Sequence, residues 1–192
     1  MHRGFTTIVA AGLGLVSTLL AGPALANTTV IGGGFAEECS KSARAIAADR
    51  QPASEALHLC TLALETEVLD AHDLASTYVN RGVLQLATAH YAEAIKDFDS
   101  AIAIEPGLGE AFVNRGAALI GQGMDADGIA QIDHGLSFNP TEPEKAYFNR
   151  AVAEEQLNDL NGAYKDYRRA LELKPGWNMA QTELARFTVV QH

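Results

Sequence analysis

The chain is poor in cysteine, in aromatic residues and in basic residues. Two cysteines cannot hold together a small disulfide-rich scaffold. Only 14 lysines and arginines stand against 24 aspartates and glutamates, which gives a formal net charge of −10. A negative charge of this size argues against electrostatic binding to nucleic acid. The 192 residues, 47% of them hydrophobic, are enough for one domain with a buried core.

Motifs of catalysis and of cofactor binding are also missing from the sequence. It has no P-loop, no G-x-S-x-G and no dinucleotide-binding fingerprint, and its six histidines show no metal-ligand spacing. Asp97 and Asp99 are two residues apart on a predicted helix and diverge by about 160°, so they cannot work as a carboxylate pair. We therefore predict a protein that is not an enzyme and that has no catalytic residue, no metal and no cofactor.

The first 26 residues have the three-part pattern of a secretory signal peptide. Arg3 precedes an apolar run over residues 8–21, Gly22-Pro23 ends the run, and small residues lead up to a cut after Ala26. A membrane anchor is the alternative, but the run is shorter than the roughly 20 residues that a spanning helix needs.

This pattern predicts export by a bacterium to the periplasm or the medium, with no membrane insertion after the signal is removed. The mature chain would begin at Asn27. Residues 27–35 contain three consecutive glycines and are predicted to form a flexible leader.

A sequence period of 34 to 35 residues runs through the rest of the chain. The pattern aromatic-x-Asn-Arg-small occurs three times, at 78–82, 112–116 and 147–151. A proline follows each copy at the same spacing, at Pro106, Pro140 and Pro175. Apolar residues recur at helical spacing twice within each period, with a break between, which predicts two antiparallel helices per repeat.

These residues resemble the tetratricopeptide repeat family. The family has a large aromatic residue at position 4, glycine or alanine at 8, alanine at 20 and 27, an aromatic residue at 24 and proline at 32, and the resemblance covers residues 75–177. It implies an all-α fold, a right-handed superhelix (α-solenoid) of antiparallel helix pairs, with repeats over 75–108, 109–143 and 144–177. In the middle repeat Gly128 and Gly135 replace alanines inside a helix, at a cost of about 1 kcal/mol each.

Both ends of the superhelix are predicted to be covered. Residues 36–74 read as a degenerate helix pair that caps the first repeat, and residues 178–192 as a covering helix, to about residue 190, with a short tail. Such caps bury the apolar faces of terminal repeats. Thr141 and Glu144, around Pro143, are predicted to form a capping box at the start of the last repeat.

Cys39 and Cys60 fall on the two predicted helices of the N-terminal cap. Because an exported protein meets an oxidising compartment, we predict a disulfide between them. Two buried free thiols are the alternative.

An arginine occupies position 7 of each repeat, where the helix faces its neighbours. Such a side chain needs a partner or must reach solvent. Recognition of an anionic ligand is the alternative to pairing with aspartates. The arginines are Arg81, Arg115 and Arg150, and the candidate partners are Asp97, Asp99, Asp133 and Asp166.

The first helix of each repeat is predicted to line a concave groove with its positions 2, 5, 6, 9, 12 and 13. Helical spacing puts these positions on one arc, away from positions 4, 7, 8 and 11. The groove would be apolar with a row of asparagines, which can donate and accept hydrogen bonds along an extended peptide. The alternative is that the valines pack against neighbouring helices. The residues are Val79, Asn80, Val83, Leu86, Val113, Asn114, Ala117, Ile120, Phe148, Asn149 and Val152.

The resemblance implies a non-enzymatic module that binds a protein or peptide partner. Family members that grip a C-terminal carboxylate use basic residues on this face, where this chain has only Lys145. We therefore expect an apolar peptide segment, extended or helical, bound with little salt dependence. Two alternatives stay open. The protein could be a structural or assembly protein that forms homo-oligomers, or it could be an accessory factor of a cell-envelope enzyme.

Overall fold

The computed structural model of the chain describes residues 6–10, 34–46 and 53–191. Nine helices follow one another along these residues, and each packs against the next to form a solenoid of antiparallel pairs. They are α1 (Phe35–Ile46), α2 (Ala53–Thr66), α3 (Ala71–Ala87), α4 (Tyr91–Ile104), α5 (Gly109–Gly121), α6 (Asp125–Ser137), α7 (Pro143–Gln156), α8 (Leu160–Leu173) and α9 (Asn178–Leu184). The predicted all-α solenoid is confirmed.

Three helix pairs, α3/α4, α5/α6 and α7/α8, coincide with the three predicted repeats, and α1/α2 with the predicted N-terminal cap. Helix α3 begins at Ala71, before the first repeat position, because Asp70 caps it with a hydrogen bond from the Asp73 N–H to Oδ1 at 2.8 Å.

Small residues set the closeness of the two helices within a pair. A Cβ atom placed on Gly82 would lie 2.5 Å from the Phe98 ring, and one on Gly116 would lie 2.7 Å from the Gly128 carbonyl oxygen. In the middle repeat a Cβ on Gly135 would lie 2.8 Å from the Gly109 carbonyl oxygen. The glycines that weaken α6 as an isolated helix therefore let its backbone approach that of α5.

A disulfide joins α1 to α2 in the cap pair. Cys39 and Cys60 are bonded, with their Cα atoms 4.7 Å apart, which confirms the predicted pairing. Cys60 lies at the repeat position that Phe98 holds in the next pair, and it packs with Ala43, Ala56 and Leu84. The disulfide thus fills the cap where a bulky side chain fills the later repeats.

The position-7 arginines pair with aspartates, as predicted. Arg81 donates to both carboxylate oxygens of Asp97 at 2.8 and 2.7 Å. Arg150 donates to both oxygens of Asp166 at 2.6 and 2.9 Å. Each pair links the first and second helix of one repeat.

The same arginines also reach back to the preceding helix pair. Arg150 donates to Asp133 at 2.5 Å, and Arg115 donates to Asp99 at 2.7 Å. Arg81 makes a longer contact of 3.4 Å with the Thr61 hydroxyl, which holds in the cap pair the position that Asp99 and Asp133 hold in theirs. The arginines therefore form a series of ties along the solenoid.

A further contact between repeats replaces the predicted capping box. The Thr141 N–H and hydroxyl both donate to the Glu110 carboxylate, at 2.8 and 2.9 Å. Helix α7 begins at Pro143 with no side-chain cap from Glu142. The capping-box prediction was wrong because Thr141 is used to tie the third repeat to the second.

The C-terminal end differs from the predicted helix over residues 178–190. Helix α9 ends at Leu184, and residues Phe187–Gln191 form strand β2, which pairs antiparallel with strand β1 (Thr6–Ala10). Threonine and valines after Phe187 favour a strand over a helix. The covering role is retained, because Ala180 and Phe187 are buried against the last repeat and the Phe187 ring lies 5.9 Å from that of Tyr167.

The predicted signal peptide and leader lie outside the described residues except for β1 and the residues from Gly34 onward. Over the described segments, no helix is long and apolar enough to cross a membrane.

The arginine ties give a stability prediction. Asp166 is 7% exposed and holds Arg150 through two hydrogen bonds, whereas the Asp99 side chain is 53% exposed and accepts one bond from Arg115. Asp166→Asn should lower the free energy of unfolding by about 2 kcal/mol, and Asp99→Asn by less than about 0.5 kcal/mol. Urea unfolding of both variants at pH 7 measures the difference, and equal losses would contradict the assignment of the buried tie.

Candidate functional site

Five of the predicted groove residues pack against the second helix of their own repeat. A Cβ on Gly135 of α6 would lie 2.8 Å from Val113, and one on Gly128 would lie 2.5 Å from Ile120. The Phe148 ring lies 5.5 Å from that of Tyr167 on α8. In the first repeat, Val79 and Leu86 belong to the core that α4 completes.

The assignment of Val79, Leu86, Val113, Ile120 and Phe148 to an open groove is therefore corrected. Positions 5 and 12 share a helix face with position 8, at spacings of three and four residues, and position 8 is where the paired helix approaches most closely. The alternative interpretation, helix packing, holds for these five.

The remaining predicted residues, at positions 6 and 9, lie on the adjoining face of the first helices. Position 9 is one turn from positions 5 and 12, and Val83 and Ala117 are buried in the same core as Val79 and Leu86, so their assignment to an open groove is corrected as well. We call this face the asparagine strip; it comprises positions 2, 6 and 9 of each repeat. The first helices α3, α5 and α7 contact each other in sequence, so the three asparagines follow one another along the solenoid. The members are Ser76, Asn80, Val83, Glu110, Asn114, Ala117, Lys145, Asn149 and Val152.

The asparagine strip is largely buried and keeps unsatisfied polar atoms at its N-terminal end. Asn80 and Ser76 are 0% exposed, and the Asn80 Oδ1 and Nδ2 atoms and the Ser76 hydroxyl have no hydrogen-bond partner. Ser76 and Asn80 are four residues apart, one turn along the same face of α3. A buried polar atom without a partner costs about 1–3 kcal/mol, so these side chains destabilise the chain unless something binds them.

The other two asparagines differ from Asn80. Asn114 and Asn149 are also buried, but each takes part in an interaction. The unsatisfied carboxamide in the row is therefore that of the first repeat. Sequence reasoning placed position 2 on the groove arc but named Asn80, and not Ser76, among the groove residues.

Every lysine and arginine of α3, α5 and α7 has an acidic partner. Arg81, Arg115 and Arg150 are held by the aspartates described above. Lys145, the single basic residue of the asparagine strip, is 9% exposed and lies 2.7 Å from the Glu142 carboxylate. Hydrogen bonding to Asp166 raises the pKa of Arg150 further above its ordinary value. The site therefore has no uncompensated positive charge on these three helices.

Metal ligands are not assembled in the part of the chain that the structure describes, since no three His, Cys, Asp or Glu side chains are grouped to hold an ion. The His134 ring makes edge contacts with the rings of Phe112 and Phe138, at 4.5 and 5.0 Å between centroids, and these contacts serve packing.

Two segments match family models, both described as tetratricopeptide repeat, over residues 75–107 and 144–176. These are the first and third predicted repeats, so these two segments are similar to tetratricopeptide repeats. Scaffolds built of such repeats are typically non-catalytic. No curated protein sequence matches the chain.

Solved structures of repeat domains are similar to the chain. The first tetratricopeptide domain of the human RPAP3 protein is 27% identical, with a TM-score of 0.56 over 61% of this chain and 91% of that one. The first such domain of Spaghetti (RPAP3), bound to the HSP90 peptide SRMEEVD, is 27% identical, with a TM-score of 0.55 over 60% and 90%. MamA, 15% identical with a TM-score of 0.59 over 80% and 82%, supports the fold alone.

Proposed function

We propose, from this similarity to tetratricopeptide repeats, that this protein is an exported, non-enzymatic module that binds an uncharged, extended peptide segment along the asparagine strip. The observation that carries the proposal is the buried Asn80 carboxamide, which has neither a donor nor an acceptor opposite it. A peptide main chain offers one of each at every residue.

A ligand could displace the contacts that enclose Asn80, because it would make hydrogen bonds that those contacts do not make. The contacts that enclose Asn80 leave both of its polar atoms unsatisfied. A peptide that supplies a carbonyl and an N–H at this point gains two hydrogen bonds relative to those contacts.

The charges of the site favour a neutral ligand. The solved relative above binds SRMEEVD, a peptide with two glutamates and an aspartate. The cations of the first helices in this chain are already paired, and the chain carries a net charge of −10. An acidic peptide would meet repulsion without a free cation to offset it.

Substitution of Asn80 by the similarly shaped leucine tests the proposal. Asn80→Leu removes two unsatisfied polar atoms, so the variant should be at least as stable as the parent. Heptapeptides selected from a random phage library on the parent protein should be depleted in Asp and Glu. They should bind Asn80→Leu about tenfold or more weakly than the parent, because one to two hydrogen bonds are lost. Fluorescence anisotropy of the labelled peptides measures the affinities.

Asn161→Leu is the matched control, because Asn161 is exposed on the second helix of the last repeat. It should bind the selected peptides like the parent protein. Selection of acidic C-terminal sequences, or unchanged affinity for Asn80→Leu, would contradict the proposed site.

Export is supported by the signal-peptide pattern and by the Cys39–Cys60 disulfide, which an oxidising compartment sustains. N-terminal sequencing of the protein from bacterial periplasm or medium should begin at Asn27, so the exported chain would lack β1 and β2 would lose its paired strand. Recovery of the chain only in the cytoplasm, with the first 26 residues retained, would contradict export.

A further inference from the structure

Glu154 on α7 has a carboxylate oxygen that is enclosed and has no partner. Its Oε2 atom lacks a hydrogen bond, although Arg150 lies one turn earlier on the same helix. The carboxyl group lies beside Gly162, the third residue of α8, where Asp159 caps the helix by accepting from the Gly162 N–H at 2.9 Å. A Cβ on Gly162 would lie 2.8 Å from Glu154 Cδ and 2.7 Å from Asp159 Oδ2, so the two carboxyl groups are close neighbours.

The charged groups around Glu154 are mostly of its own sign. Helix α8 presents Asp159 and Asp166, helix α6 presents Asp133, and helix α7 itself supplies Arg150 as the cation. Arg150 already donates three hydrogen bonds to Asp166 and Asp133. Glu154 is therefore the carboxylate for which this cluster has no donor left.

Burial is the main cause that raises the pKa of Glu154 to about 7, and the neighbouring Asp166 charge adds to it, while Arg150 acts in the opposite direction. The unfolded chain has no such enclosure, so its carboxyl group titrates near the ordinary 4.5. Folding therefore takes up a proton at pH values between these two, and stability falls as the pH rises through this window.

We propose that the last repeat is a pH-responsive element, in which Glu154 is protonated in the folded chain under mildly acidic conditions and its ionisation loosens the packing of α7 on α8. The protonated carboxyl group can stay enclosed, whereas the carboxylate must recruit water or move away from Asp159 and Asp166. Because α7 also carries Asn149 of the asparagine strip, the same ionisation disturbs that face.

The single tryptophan of the chain reports on this repeat. Trp177 packs against Phe148 of α7, with ring centroids 4.9 Å apart, so its fluorescence follows the position of α7 relative to the C-terminal end. Urea unfolding followed at Trp177 from pH 5 to pH 8 therefore measures the stability of the element in the full chain.

The test compares the parent chain with Glu154→Gln, whose amide keeps the shape of the neutral acid. The unfolding equilibrium constant of the parent should rise about tenfold or more from pH 5 to pH 8. This rise corresponds to a difference of at least one unit between the pKa of Glu154 in the folded and in the unfolded chain. In Glu154→Gln the rise should be less than about threefold, and at pH 5 the two proteins should unfold at the same urea concentration.

Glu93→Gln is the matched control, because Glu93 is exposed on α4 and its loss changes the net charge equally. This variant should keep the pH profile of the parent. The proposal is overturned if the parent profile is flat, if Glu154→Gln keeps the parent's pH dependence, or if Glu154→Gln is much less stable than the parent at pH 5.

Discussion

In each repeat one arginine binds a carboxylate of its own helix pair, of the pair before it, or of both, and these ties order the solenoid. In a stack of repeats each unit contacts only its neighbours, so the contacts between units decide whether the units act as one domain. Arg150 makes both kinds of tie, to Asp166 and to Asp133. Arg115 keeps only the tie to the preceding repeat, because Gln131 stands where the other repeats have an aspartate.

The same pairing determines the chemistry left for a ligand. Since the aspartates and Glu142 engage the cations of the first helices, the asparagine strip holds its three asparagines without an unpaired cation beside them. Asparagine carries no net charge and can both donate and accept. The proposed peptide ligand would therefore be recognised through its main chain and not through a carboxylate.

The features that repeat in the sequence were predictable from it. The small residues at Gly82 and Gly116 and the arginine–aspartate pairs recur every 34 or 35 residues, and three copies of a pattern fix its register far better than one. The disulfide followed from two cysteines on neighbouring helices. Its place in the core, where Cys60 replaces a bulky residue, required the packed structure.

The errors arose where a residue has two suitable partners and the sequence does not choose between them. Thr141 can cap α7 or bind Glu110, and the distant carboxylate wins. Val113 and Phe148 could line a groove or pack against the paired helix. An error of about one residue position in placing the helical face changes which of the two is predicted. Glu154 gave no sequence signal, because its surroundings come from three helices that the chain brings together only on folding.

The central proposal is that the asparagine strip recognises a peptide without using charge. The most direct measurement is the dissociation constant of a peptide selected on the parent protein, at low and at high sodium chloride, about 50 and 500 mM. Screening weakens ion pairs over this range but leaves apolar contacts and neutral hydrogen bonds nearly unchanged. The account predicts a change of less than about twofold, and a loss of affinity of about tenfold or more at high salt would contradict it.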